Sequence, residues 1–132
     1  MGLSVDADGD VDAVFSDVYL IATTPISALR VVSYVTPTTV AYADPSAAIA
    51  VRCVAGVTRT AAAVGGSVTV CAGGWVIDSS WNWTIGNPIF CGLNGVPTQI
   101  WSAMWERVIT VGYAINPTTM LVRFSEPIEQ EV

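Results

Sequence analysis

Lysine and histidine are both absent from this 132-residue chain. Without histidine there is no usual general base, no partner to activate a nucleophile and no imidazole metal ligand. Without lysine there is no Schiff-base chemistry. Charge of either sign is scarce, at 12% of residues against roughly 25% in an ordinary soluble domain. The five cations, Arg30, Arg52, Arg59, Arg107 and Arg123, are scattered among eleven carboxylates, for a net charge of −6. Nucleic-acid binding needs clustered cations to neutralise phosphates, so that class is set aside. No apolar run reaches the roughly 18–20 residues of a membrane helix. The acidic opening, MGLSVDADGDVDAVF, lacks the basic start of a signal peptide. Met1-Gly2 opens like an acylation signal, but Asp6 stands where Ser or Thr is wanted.

Cysteines number three, Cys53, Cys71 and Cys91. An odd count at wide spacing suggests neither a disulfide framework nor a CxxC metal site. Each lies in a strand-like apolar run, which predicts buried thiols in a protein made in a reducing cytoplasm. Gly65-Gly66 and Gly73-Gly74 are too short for a phosphate-binding loop, and neither opens a helix. No cofactor is implied. Asp6, Asp8 and Asp10 are spaced like the start of a calcium loop. Val11 and Asp17 occupy the places where Gly and Glu are needed, so no metal site is assigned and the segment reads as a solvated acidic arm.

What the chain has is apolar surface, 52% of its residues at a length that makes one domain. Such a composition predicts that part of the surface is hidden against copies of itself or a larger partner. Residues 1–22 read as an acidic N-terminal arm and a first strand, and 23–132 as a single β-domain. Strand candidates are Val14–Ala22, Leu29–Val35, Val40–Ala43, Ile49–Val57, Ser67–Ala72, Trp75–Ile77, Ile89–Leu93, Val108–Ile115 and Met120–Phe124. Asp44-Pro45 is the one local helix signal, a capped single turn. Gly73-Gly74 predicts a tight turn or bulge, and Asn94-Gly95 is the strongest hairpin signal. The fold expected is all-β: a small β-sandwich or β-barrel of about eight or nine short antiparallel strands with an extended N-terminal arm. Tyr34-Val35-Thr36-Pro37-Thr38-Thr39 is echoed by Tyr113-Ala114-Ile115-Asn116-Pro117-Thr118-Thr119, which reads as one turn solution used twice.

All five tryptophans, Trp75, Trp81, Trp83, Trp101 and Trp105, crowd one stretch. In Ser80-Trp81-Asn82-Trp83-Thr84 the indoles alternate with polar residues, so a strand there would put both on one face. They read either as a docking face or as core and subunit seam, and the apolar excess favours the second. Asp78 and Glu106 lie near tryptophans and are the carboxylates a glycoside hydrolase would use. That pairing is common in turns, and the chain is not expected to be an enzyme.

These residues also carry a resemblance. Gly66-Ser67-Val68-Thr69-Val70, Gly74-Trp75-Val76, Ser80-Trp81-Asn82-Trp83-Thr84, Gly86-Asn87-Pro88, Gly95-Val96-Pro97-Thr98-Gln99, Val111-Gly112-Tyr113-Ala114 and Pro117-Thr118-Thr119 follow one another in order. Over about residues 50–124 the pattern resembles the small β-domains of tailed-bacteriophage virion proteins, the capsid decoration (cement, head-fibre) proteins. The insertion Ile100–Arg107 departs from it. The resemblance implies a non-catalytic structural protein on the outer capsid surface of the virion, made in the host cytoplasm. It implies a homotrimer that bridges subunits of the major capsid protein, without nucleic acid or membrane as partner. The interface anchors expected are Trp81, Trp83, Trp101 and Trp105. The other role considered is a carbohydrate- or receptor-binding module of a tail or fibre.

Overall fold

The computed structural model describes residues 3–5, 11–14, 16–45, 53–100, 102, 105, 107–123 and 128–129. In chain order the strands among them are β1 (Leu3–Val5), β2 (Val11–Val14), β3 (Ser16–Ala22), β4 (Val31–Thr36), β5 (Thr39–Tyr42), β6 (Val54–Thr58) and β7 (Ser67–Ile77). They continue with β8 (Pro88–Cys91), β9 (Pro97–Thr98), β10 (Arg107–Val108), β11 (Thr110–Asn116), β12 (Thr119–Val122) and β13 (Ile128–Glu129). The helical element among the described residues is a single 3-10 turn, Leu93–Gly95.

Strand β7 organises the rest. Its first half pairs with β3 (Tyr19↔Thr69, Ile21↔Ser67) and with β6 (Val57↔Cys71). Its second half pairs with β12 (Val76↔Met120, Trp75↔Leu121). Around the first half, the order β3-β5-β4-β6-β7 closes through β3–β7 into a five-stranded barrel. Around the second half, β7-β12-β11-β8-β9 spreads as a further sheet. Two short ladders, β1 with β2 and β10 with β13, stand outside both.

Gly73-Gly74 is where the strand changes sheets rather than where it turns. Opposite β3 the register steps from Asp17↔Cys71 to Ser16↔Gly73, so Ala72 is a one-residue bulge. The two expected strands, Ser67–Ala72 and Trp75–Ile77, are therefore one strand of 11 residues. The bulge bends the strand, and the glycines allow the bend without side chains to clash.

The barrel class holds, with one departure from all-antiparallel pairing. β3 and β5 run parallel, Ile21↔Thr39 and Ala22↔Val40. The intervening β4 reverses the chain, so β5 returns in the direction of β3 and closes the barrel beside it.

Two apolar cores result. Leu20, Ala22, Ile26, Val32, Val40, Ala55, Val68 and Val70 fill the barrel. Val31, Val57 and Cys71 face out of the barrel and meet Val76, Ile89, Val111, Ala114, Met120 and Val122 of the second sheet. The barrel wall is thus buried on both faces where the sheets meet, which explains why apolar residues stand at both parities in Val31-Val32 of β4 and in Val54–Val57 of β6. Ala55 is itself a bulge, since Val32↔Gly56 is followed by Ser33↔Val54. The slip moves Ala55 into one core and Val54 and Val57 onto the other. Gly56 beside it has φ +157°, and a Cβ there would strike the Cys71 carbonyl.

The three turns predicted from local signals form. Asn94 (φ 55°) and Gly95 (φ 71°) occupy the two central turn positions, and Val96 N–H closes the turn on Leu93 O at 3.2 Å. The echoed Pro-Thr segments join β4 to β5 and β11 to β12, each with a bulged residue, Val35 or Ile115, just before the turn. Thr36 Oγ1 accepts from Thr38 N–H at 3.3 Å, and Asn116 Oδ1 accepts from Thr118 N–H at 3.0 Å. A short polar side chain at the first turn position does the same work in both. Of Ile49–Val57 only the part from 53 is described, so the proposed turn after Asp44-Pro45 lies outside the described residues beyond 45.

Candidate docking surface

The aromatic segment is a loop, not a strand. Residues 78–87 leave β7 and cross the β11–β12 turn, held by backbone bonds from Asp78 N–H to Thr118 O (2.9 Å) and from Trp83 N–H to Pro117 O (2.9 Å). At its far end Gly86 N–H donates to Ala114 O (2.8 Å) and Ala114 N–H donates to Asn87 O (3.2 Å). Gln99 pins the middle. Its Oε1 accepts from Thr84 N–H at 2.7 Å, and its Nε2 donates to Thr84 O at 2.9 Å and Asn87 O at 3.3 Å. Asp78 accepts a hydrogen bond from Ser80 Oγ, which tightens the start of the loop.

Trp81 and Trp83 come together despite the missing strand. Their ring centroids are 5.2 Å apart with planes tilted by 48°, a favourable aromatic geometry. Both are half-buried and pack on the second core. Trp83 Nε1 is closed off from solvent and donates to no acceptor among the described residues. Trp105 is only 8% exposed and lies near Gly92, so it serves the interior of this chain. Trp101 and Glu106 lie outside the described residues. Of the four expected anchors, then, Trp81 and Trp83 sit together and Trp105 lies apart from solvent.

The outward face of the second sheet carries aromatics that are not among the four expected anchors. Trp75 stands opposite Leu121, Leu121 opposite Tyr113, and Tyr113 opposite Pro88, one continuous row across four strands. Trp75 is 37% exposed and Tyr113 41% exposed. Ile77 and Ile115 flank the row and are also exposed. The available signal was apolar residues at both parities in GWVI and VGYAI, which marks a strand with something against each face.

Charge is spent on holding the barrel together. Arg59 Nε lies 3.1 Å from both Asp17 carboxylate oxygens. Arg30 donates to Asn94 O at 3.1 Å and its guanidinium lies 5.3 Å from the Tyr42 ring centroid, so it ties the second sheet's hairpin to the barrel. Cys71 and Cys91 are buried as expected, but Cys53 is exposed, because it precedes β6 and the Ala55 bulge rather than lying within a paired strand. Burial, with the nearby Asp44 charge, pushes the Cys91 thiol up to about 12. Burial also raises Cys71. Among the described residues no cluster of three or more His, Cys, Asp or Glu could hold a metal ion.

A closed five-stranded barrel whose longest strand runs on into a second antiparallel sheet defines an all-β structural class. That architecture is shared with the N-terminal base of the head fibre protein gp8.5 of bacteriophage phi29, a tailed-phage head protein. The likeness has a TM-score of 0.51 and 16% sequence identity, and spans 85% of this chain and 97% of that one. It agrees in fold with the resemblance to phage virion β-domains read from the sequence. No family model matches the chain, and no curated protein matches it.

Proposed function

We propose that this chain is a structural protein of a phage head, a decoration protein that binds the outer surface of the shell and stabilises it by bridging capsid subunits. One observation carries the reading: nearly the whole of a head-fibre base domain has the same fold over most of this chain. The composition supports it, since an apolar, charge-poor domain with exposed apolar side chains is completed by assembly. Stabilisation follows from mass action. A protein that binds only the assembled shell shifts the balance toward that shell, and many equivalent sites multiply the effect. Trp81 and Trp83, pinned by Gln99 on a loop at the end of the second sheet, are the shell-facing anchors in this reading.

The test is pelleting with head shells that lack the protein. Saturable binding, a higher shell disruption temperature, and loss of both in Trp81→Ala support the reading. Absence of binding to expanded shells overturns it. A second reading, carbohydrate or receptor binding, rests on the exposed Trp75 and Tyr113, since such rings stack on sugars.

A further inference from the structure

The second sheet is apolar on both sides. Its inner face, with Val76, Met120 and Ala114, is covered by the barrel wall. Its outer face bears the Trp75–Leu121–Tyr113 row with Ile77, at 67% exposure, beside it. An antiparallel sheet with one wet face ordinarily alternates apolar-in with polar-out. Here the outward positions break that rule. Few hydrogen-bonding side chains accompany the aromatics, unlike a sugar site, where polar groups fix the hydroxyls.

The charge pattern names the occupant. No Asp, Glu, Lys or Arg occurs in β7, β8, β11 or β12, in a chain of net charge −6. The first charged residues met are Asp78, directly after β7, and Arg123, directly after β12. Because β7 and β12 are antiparallel, these two lie on opposite sides of the row, about 17 Å apart along the strand direction at roughly 3.4 Å per residue. Arg123 is exposed, and no ion pair to it occurs among the described residues. A copy turned end for end brings its Arg123 to this Asp78 while the apolar rows meet between them.

We propose that the outward face of β7, β12 and β11 seats another copy of this chain, with Arg123 of one copy against Asp78 of the next. This rests on reading the chain as an assembling structural protein, and it supplies the seam between copies. The contact is self-complementary, the same face of each copy meeting its equal, so a two-fold pair satisfies it with two Arg123–Asp78 contacts. Leu121 and Arg123 lie outside the shell-facing Trp81–Trp83 loop that Asp78 opens, so variants at those two positions separate the two functions in test.

Sedimentation and light scattering of the purified chain read the seam directly. The wild type is expected as a dimer, and Leu121→Asp as a monomer with unchanged far-ultraviolet circular dichroism. Arg123→Glu, which leaves the sheets untouched, is expected to weaken association about five-fold, and Arg123→Glu with Asp78→Arg to restore it. A monomeric wild type, or an oligomer indifferent to both Leu121→Asp and Arg123→Glu, overturns the proposal. So does a monomer that captures a glycan through Trp75. Monomeric chain that still pellets with shells defeats the seam alone, whereas an oligomer that ignores shells defeats the decoration role alone.

Discussion

Gln99 and Thr84 exchange a two-way amide pair, Thr84 N–H to Gln99 Oε1 at 2.7 Å and Gln99 Nε2 to Thr84 O at 2.9 Å. A side chain thereby imitates a neighbouring strand for a loop that has none. Gln99→Ala should destabilise the protein by about 1–3 kcal/mol, a fall of about 3–10 °C in Tm. Gln99→Glu keeps the acceptor but sets a carboxylate against two carbonyls, Thr84 O and Asn87 O. Its folded pKa is raised, so its deficit relative to wild type should shrink as pH falls from that raised value toward the unfolded value of about 4.3, as the acid becomes able to donate, and level off below it. Thermal unfolding of the three proteins against pH, followed by tryptophan fluorescence, checks the order.

Trp83 offers a test in the opposite direction. Its Nε1 is a buried donor without a partner among the described residues, a cost of about 1–3 kcal/mol. Trp83→Phe removes that donor and retains much of the ring's packing on the core. Its Tm is expected to equal or exceed the wild type's, while Trp83→Ala loses about 3–5 kcal/mol. A drop in Trp83→Phe as large as in Trp83→Ala would show that the indole N–H has a partner.

The thiols should separate by reactivity. Cys53 is exposed, and Cys71 and Cys91 are buried with raised pKa values. A chromogenic disulfide reagent should label one thiol per native chain quickly and the remaining two only on unfolding. The pH dependence has a definite sign. An unfolded Cys91 ionises near pH 9 and the folded one at about 12, so the neutral folded form is favoured below that window. Stability should fall by about 1.4 kcal/mol per pH unit through it, with Cys71 adding in the same direction, and the slope should be shallower in Cys91→Ala.

Gly95 joins the two sheets. Its φ is +71°, and a Cβ there would strike the Val31 carbonyl at the start of β4. Gly95→Ala therefore combines about 1–2 kcal/mol of left-handed strain with a backbone clash. A Tm decrease of more than about 5 °C is expected. Gly65→Ala is the control. Gly65 has a similar φ of +80° with open space around it, so that variant carries the strain alone.

Local chemistry made part of this fold readable. Asn94-Gly95 allows a two-residue turn with both φ positive, and the repeated Pro-Thr turns brought their bulges with them. The continuity of β7 was half readable: Gly73-Gly74 signals a turn or a bulge, and the choice of the bulge depends on two sheets sharing the strand. Closure by the parallel β3–β5 pair depends on contacts distant in sequence, which no local pattern encodes. In Trp81-Asn82-Trp83 the alternation looked like a strand, yet the Pro117 and Thr118 carbonyls beneath set a loop instead. The pairing of the two indoles survived because both approach the same core. The apolar row through Trp75, Leu121 and Tyr113 belongs to three strands and becomes visible only once their register is known.

The location of the protein in the particle tests the head-decoration reading most directly. Gold-labelled antibody against the chain, applied to intact virions, should mark the head shell at many positions per particle. Label confined to the tail, or particles without label, would contradict it.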